Sequence, residues 1–205
     1  QSVSSRAMHD IQARDALGAE PLQVAVNVGA EHFSMAGFSE YLFAQCEASN
    51  FAPRRLQIEV TEDVMGGSRE EFTNAVKAVQ AHGFTVAIDD FGRGFSNLSR
   101  LANIPVDIIK IDRSLVSEAV GSPRLHTIME SVIAMSHALG SAGIVEGVET
   151  QAEVTMAAHA GADALQGYHF SKPLPVTKLR DWLSQHTQNP QHRQLEQVQQ
   201  ALAAA

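Results

Sequence analysis

The chain of 205 residues is 44% hydrophobic and 19% charged, with a net charge of −8. That length and apolar content can bury one sizeable core, so one globular domain is expected, while no apolar run reaches the roughly 18 residues of a membrane-spanning helix and no signal segment opens the chain. A single cysteine, Cys46, excludes an internal disulfide and fits a reducing cytoplasm, and the acidic balance without a long basic run excludes binding along a DNA or RNA polymer.

In chain order, residues 5–17 read as an amphipathic helix ahead of six β-rich apolar runs, at 24–28, 56–61, 84–90, 108–112, 143–148 and 164–170. Helices are expected between them at 37–49, 68–82, 123–139 and 150–160, with a last one at 173–185. Gly83, Gly140 and Gly161 each end a helix and precede a strand. Strands alternating with helices at this spacing predict an α/β fold with a parallel sheet. The domain is expected over 1–185, leaving the Gln- and Ala-rich 186–205 as a polar tail or frayed helix.

Polar residues gather at the C-terminal ends of the predicted strands. They are Asn27, Glu59 with Glu62, Asp89 with Asp90, Lys110 with Asp112, Glu146 with Glu149, and Gln166. In a TIM-like (β/α) barrel those ends open on one face, so residues distant in sequence converge into an acidic basin with one lysine. Adjacent carboxylates such as Asp89 and Asp90 repel one another unless cations neutralise them; taken alone, the pair reads more readily as a helix cap or a turn before a glycine loop, and it is the other strand ends that favour a metal site. An oxygen-only donor set without His or Cys suits Mg²⁺ or Mn²⁺ better than Zn²⁺. The nine histidines form no i, i+4 pair and are expected on surfaces or helices. Phe33, Phe38, Tyr41, Phe43 and Phe51 are expected to pack in the core or between helices.

Six segments, in order and spacing, resemble the EAL family of bacterial cyclic di-GMP phosphodiesterases: Val26-Asn27-Val28, Glu59-Val60-Thr61-Glu62, Asp89 through Leu98, Lys110-Ile111-Asp112, Glu146-Gly147-Val148-Glu149-Thr150 and Gln166-Gly167-Tyr168. The likeness covers about residues 20–180. It implies an incomplete barrel with about six of the eight strands in this chain, because the family's Glu-Ala-Leu strand falls before Val24 and nothing in residues 1–23 supplies it. A whole barrel takes about 250 residues, and the start at Gln1 fits a piece of a longer protein or a processed product. Gly29, Arg93 and Phe95 stand where the family usually has Ser, Thr and Tyr.

The resemblance further implies two-metal hydrolysis of cyclic di-GMP to the linear dinucleotide with a 5′ phosphate. Asp89 is the expected bridge between two ions, Asn27 and Glu59 belong to the first, Asp90 to the second, and Glu146 binds the second directly or through water. Lys110 orients the attacking water and stabilises charge; the competing reading pairs it with Asp112. Glu62 anchors the loop after Asp90, Gln166 bonds the ligand or a water, and Glu149 either caps the next helix or acts in the site. Phe170, Lys172 and Pro173 are the first candidates for base contacts. Without the Glu-Ala-Leu glutamate, weak turnover by this chain is expected, and the alternatives are an inactive module that binds cyclic di-GMP or an unrelated acid-lined barrel acting on another phosphorylated metabolite. A homodimer is expected from the open sheet edges.

Overall fold

The computed structural model describes Met8 and residues 22–61, 68–93, 101–175, 177–179 and 181–182. Glu62, residues 94–100, the expected tail over 186–205 and, apart from Met8, the expected helix over 5–17 lie outside the described residues.

The order of elements is β1 (Val24–Asn27), α1 (Ala30–Phe33), α2 (Phe38–Ala48), β2 (Leu56–Thr61), α3 (Arg69–Ala81), β3 (Thr85–Phe91), β4 (Ile108–Ile111), α4 (Arg113–Ala119), α5 (Pro123–Ala138), β5 (Ala142–Val145), α6 (Gln151–His159) and β6 (Ala164–Leu165). Among the described residues the six strands are parallel and lie side by side in chain order, β1 to β6. With helices in the connections, they make a curled half-barrel, an incomplete TIM-like barrel. The short helices α1 and α4 were not anticipated by the periodicity. Residues 177–179 and 181–182 are helical, inside the expected last helix.

Parallel strands covered on both faces have to be apolar throughout. In β2 every residue from Leu56 to Val60 is buried, including Gln57 and Glu59. Leu56, Ile58 and Val60 share one core cluster with Phe72, Val76 and Val79 of α3. A second cluster joins Met129 and Ile133 of α5 to Val145 of β5 and Met156 of α6. Each fully buried side chain of this size contributes about 1.5–3 kcal/mol. Phe33 and Phe51 are buried and Phe38 and Phe43 pack against the first cluster, as expected, whereas Tyr41 is 52% exposed on α2.

Strands β1 and β4 end one residue before the apolar runs do, and two others end well before them. The run over 164–170 stops at Leu165 because the chain turns at Gly167: the His169 amide donates to Val148 O and the Phe170 amide to Gly167 O. The run over 143–148 stops at Val145, although the Glu146 amide still donates to Ile111 O at 3.0 Å.

Candidate active site

Paired residues of neighbouring parallel strands point to the same face, and within a strand every second residue does. Asn27 pairs with Glu59, Glu59 with Ala87 and Thr61 with Asp89. Ala87 pairs with Ile108, Lys110 with Ile144, and Ile144 with Ala164. Continuing that alternation puts Asn27, Glu59, Asp89, Lys110, Glu146 and Gln166 on one face of the sheet, at its C-terminal edge.

The β3–β4 register carries an extra residue. Ile88 pairs with Ile109 and Phe91 with Ile111, so β3 advances three residues while β4 advances two. Asp90 absorbs the surplus at φ 58, a left-handed conformation that aspartate tolerates better than most residues. In a regular strand Asp89 and Asp90 would face opposite ways. With the bulge, ligand oxygens of Asp89, Asp90 and Glu146 lie within 4.8 Å of one another, a group that can hold a metal ion. Three carboxylates with no nitrogen or sulfur donor fit a hard divalent cation.

Lys110 lies beneath this group with its side chain 5% exposed. Its Nζ donates to Glu59 Oε1 at 2.7 Å, Glu146 Oε1 at 2.7 Å and Asp89 Oδ1 at 3.1 Å. Burial alone would lower its pKa, but the hydrogen bonds and charges of Glu146 and Glu59 outweigh burial and raise it above the ordinary lysine value. Burial pushes the Glu146 carboxyl the other way from its partner: its pKa is raised in spite of Lys110, with Asp89 and Glu59 adding repulsion. The Lys110–Asp112 pairing considered from sequence gives way to these three contacts.

Asp112 instead caps α4. Its Oδ1 accepts from the Ser114 amide at 2.9 Å, and although partial burial opposes ionisation, the Ser114 bonds hold its pKa below the ordinary value. Glu149 is not the cap of α6 either. That cap is Thr150, in a capping box with Glu153, and Glu149 accepts from Arg113 Nη1 at 2.9 Å. Gln166 is exposed just past β6, and Asn27 is exposed at the end of β1. Glu59 is not part of the three-carboxylate group; its Oε1 is engaged by Lys110 and, at 2.9 Å, by Gln57 Nε2.

Two residues were overlooked in the sequence. Gln57 stands two positions before Glu59 on the same face, so strand alternation could have found it. Arg113 directly follows Asp112, but nothing in its spacing announced a partner 36 positions on.

Gly147 and Gly167 shape the rim. A Cβ on Gly147, which is at φ 66, would collide with the Arg113 side chain, and one on Gly167 would collide with the Val148 backbone. A cavity of about 270 Å³ opens here, walled by Asp112, Arg113, Glu146, Glu149 and Gln166 among others. It shares Gln166, Gly167 and Tyr168 with a second cavity of about 550 Å³ whose wall includes Phe170, Lys172, Pro173 and Trp182.

The family model described as "EAL domain" matches residues 2–173. The cyclic di-GMP phosphodiesterase NbdA of Pseudomonas aeruginosa is 33% identical over 181 residues, 88% of this chain and 23% of that protein. The EAL domain of Mycobacterium smegmatis DcpA superposes with a TM-score of 0.84 at 30% identity, covering 89% of this chain and 82% of that one. The PaMucR phosphodiesterase in its cyclic di-GMP complex gives 0.78 at 27% identity, covering 85% and 71%. The chain spans about a fifth to a quarter of the length of the curated relatives it matches.

Proposed function

The chain belongs to the EAL domain family, and from that premise we propose that it is a cyclic di-GMP phosphodiesterase domain using Mg²⁺ or Mn²⁺. The reaction opens one phosphodiester of the ring and leaves the linear dinucleotide with a 5′ phosphate. The observation that carries this reading is the meeting of Asp89, Asp90 and Glu146 within 4.8 Å above a buried, charged Lys110.

When bound, divalent cations would neutralise the phosphate and acidify the attacking water. Asp89, Asp90 and Glu146 hold that positive charge at the strand ends, with Asn27 and Glu59 reserved for a first ion. Lys110 stays protonated at neutral pH, so it orients water and stabilises negative charge rather than abstracting a proton. Glu59 and Gln57 fix Lys110 in place. Gln166 offers a neutral amide to the ligand, Asp112 sets the start of α4, and Glu62 steadies the segment after Asp90. Residues 1–185 form the domain, which works in the bacterial cytoplasm and can pair through its sheet edges.

A second reading has one observation in its favour. The described carboxylates gather for one ion, with Glu59 turned to Lys110 and Gln57, as befits a module that binds cyclic di-GMP without turning it over. Incubation of the chain with cyclic di-GMP and Mg²⁺ or Mn²⁺, read by chromatography of the products, decides. Metal-dependent appearance of the linear dinucleotide supports the enzyme. Metal-dependent binding without product supports the module, and neither binding nor product overturns both.

A further inference from the structure

Cyclic di-GMP carries two phosphates on one ring, so a site that reacts at one must also accommodate the charge of the other. The surroundings are acidic, and the described cations near the strand ends are few. Lys110 is buried and engaged by three carboxylates. Arg93 leans on Asp90 at 3.4 Å and is not part of the cavity wall beside Glu146. Among the residues that line that cavity, Arg113 is the single cation.

Its placement is specific. Asp112 caps α4 and so fixes where Arg113 leaves the strand. The missing side chain of Gly147 leaves room for the Arg113 stem. The Arg113 side chain is 60% exposed and meets Glu149, whose side chain is 41% exposed, through Nη1 at 2.9 Å. A guanidinium has five N–H donors in a planar fork that matches two phosphate oxygens. An exposed ion pair is held weakly enough for an incoming phosphate to replace the carboxylate.

We propose that Arg113 holds the non-reacting phosphate of the cyclic dinucleotide, and that Glu149 keeps the guanidinium at the cavity rim until the ligand arrives. This rests on the phosphodiesterase reading and adds to it the residue that recognises the second phosphate.

The experiment is equilibrium binding of cyclic di-GMP in Mg²⁺, alongside steady-state kinetics and thermal melts, for the parent, Arg113→Ala, Arg113→Lys and Glu149→Gln. Arg113→Ala should weaken binding about 10- to 100-fold and raise KM in step, with kcat changed by less than about threefold. Arg113→Lys should restore part of the affinity, and Glu149→Gln should bind as tightly as the parent or tighter, because it releases the guanidinium. If Arg113→Ala and Glu149→Gln lower the melting temperature alike and leave affinity at the parent's value, the pair is a structural clasp and the inference fails. Failure of the parent to bind cyclic di-GMP overturns the phosphodiesterase reading together with this inference; binding that ignores Arg113 overturns the inference alone.

Discussion

Lys110 shows at the scale of one residue what holds the acids of this site together. Three carboxylates around one ammonium leave excess negative charge, and removing the ammonium would strand all of it in a half-buried pocket. Lys110→Met should therefore destabilise the metal-free chain by about 3–5 kcal/mol, and Mg²⁺ should raise the melting temperature of the variant by more than it raises the parent's. Equal shifts in the two proteins would mean that lysine and metal do not share the same carboxylates. The raised pKa values give pH signatures of defined sign. Stability from Lys110 is fully present below its ordinary value of 10.5 and is lost only as pH climbs through its higher folded value, so it does not vary near neutrality. Glu146 favours its protonated form in the folded state, a contribution present below 4.5 and lost as pH rises through its raised value. Protons therefore compete with Mg²⁺ at Glu146 at a higher pH than at an ordinary glutamate. Mg²⁺ affinity should start to fall above pH 4.5 on acidification, and Glu146→Gln should move that fall to lower pH, as a calorimetric pH series can measure.

At the scale of elements, the bulge in β3 decides which way two acids face. Asp90→Asn keeps a residue that tolerates φ 58 while removing one of two repelling charges. The metal-free melting temperature should hold or rise, while Mg²⁺ affinity drops about tenfold or more; a parallel loss of both would make Asp90 a structural residue. Gly167→Ala tests the rim, because the added Cβ meets the Val148 backbone, which cannot swing aside as a side chain could. It should break the bonds from the Val148 amide to Gln166 O and from the His169 amide to Val148 O, costing about 2 kcal/mol or more in urea denaturation. The bulge and the rim also mark what could be read from residues alone. Six strands and four of the helices were legible because apolar runs and amphipathic stretches alternate cleanly. The bulge was not, since Asp89-Asp90 looks the same in a regular strand, and its register depends on β4. Helices α1 and α4, of 4 and 7 residues, are too short to show a period. The early end of β6 comes from a turn at Gly167 that apolar composition masks.

The strand register transmits one face across the whole molecule, and that explains why residues from Asn27 to Gln166 could be assigned to one edge before any geometry was known. Period-two alternation and a parallel sheet suffice to place them there. How many ions such a set could hold is not set by alternation but by side-chain partners, and Glu59 is engaged by Gln57 and Lys110 rather than grouped with Asp89, Asp90 and Glu146. On a chain of net charge −8, such a group attracts a divalent cation while repelling an anionic dinucleotide. Cation binding should therefore come first and promote ligand binding, and by linkage the ligand should tighten the cation by the same factor. Titration calorimetry with Mn²⁺ should give one tight equivalent per chain without ligand. With cyclic di-GMP present, that equivalent should bind more tightly, and its ligand oxygens should give a second, weaker ion a place beside Asn27 and Glu59. Gln57→Leu, which releases one partner of Glu59, should strengthen that second event relative to the parent. Two tight equivalents in the ligand-free parent would instead show that Glu59 exchanges Lys110 for a cation, and the order of binding argued from the charge would no longer hold.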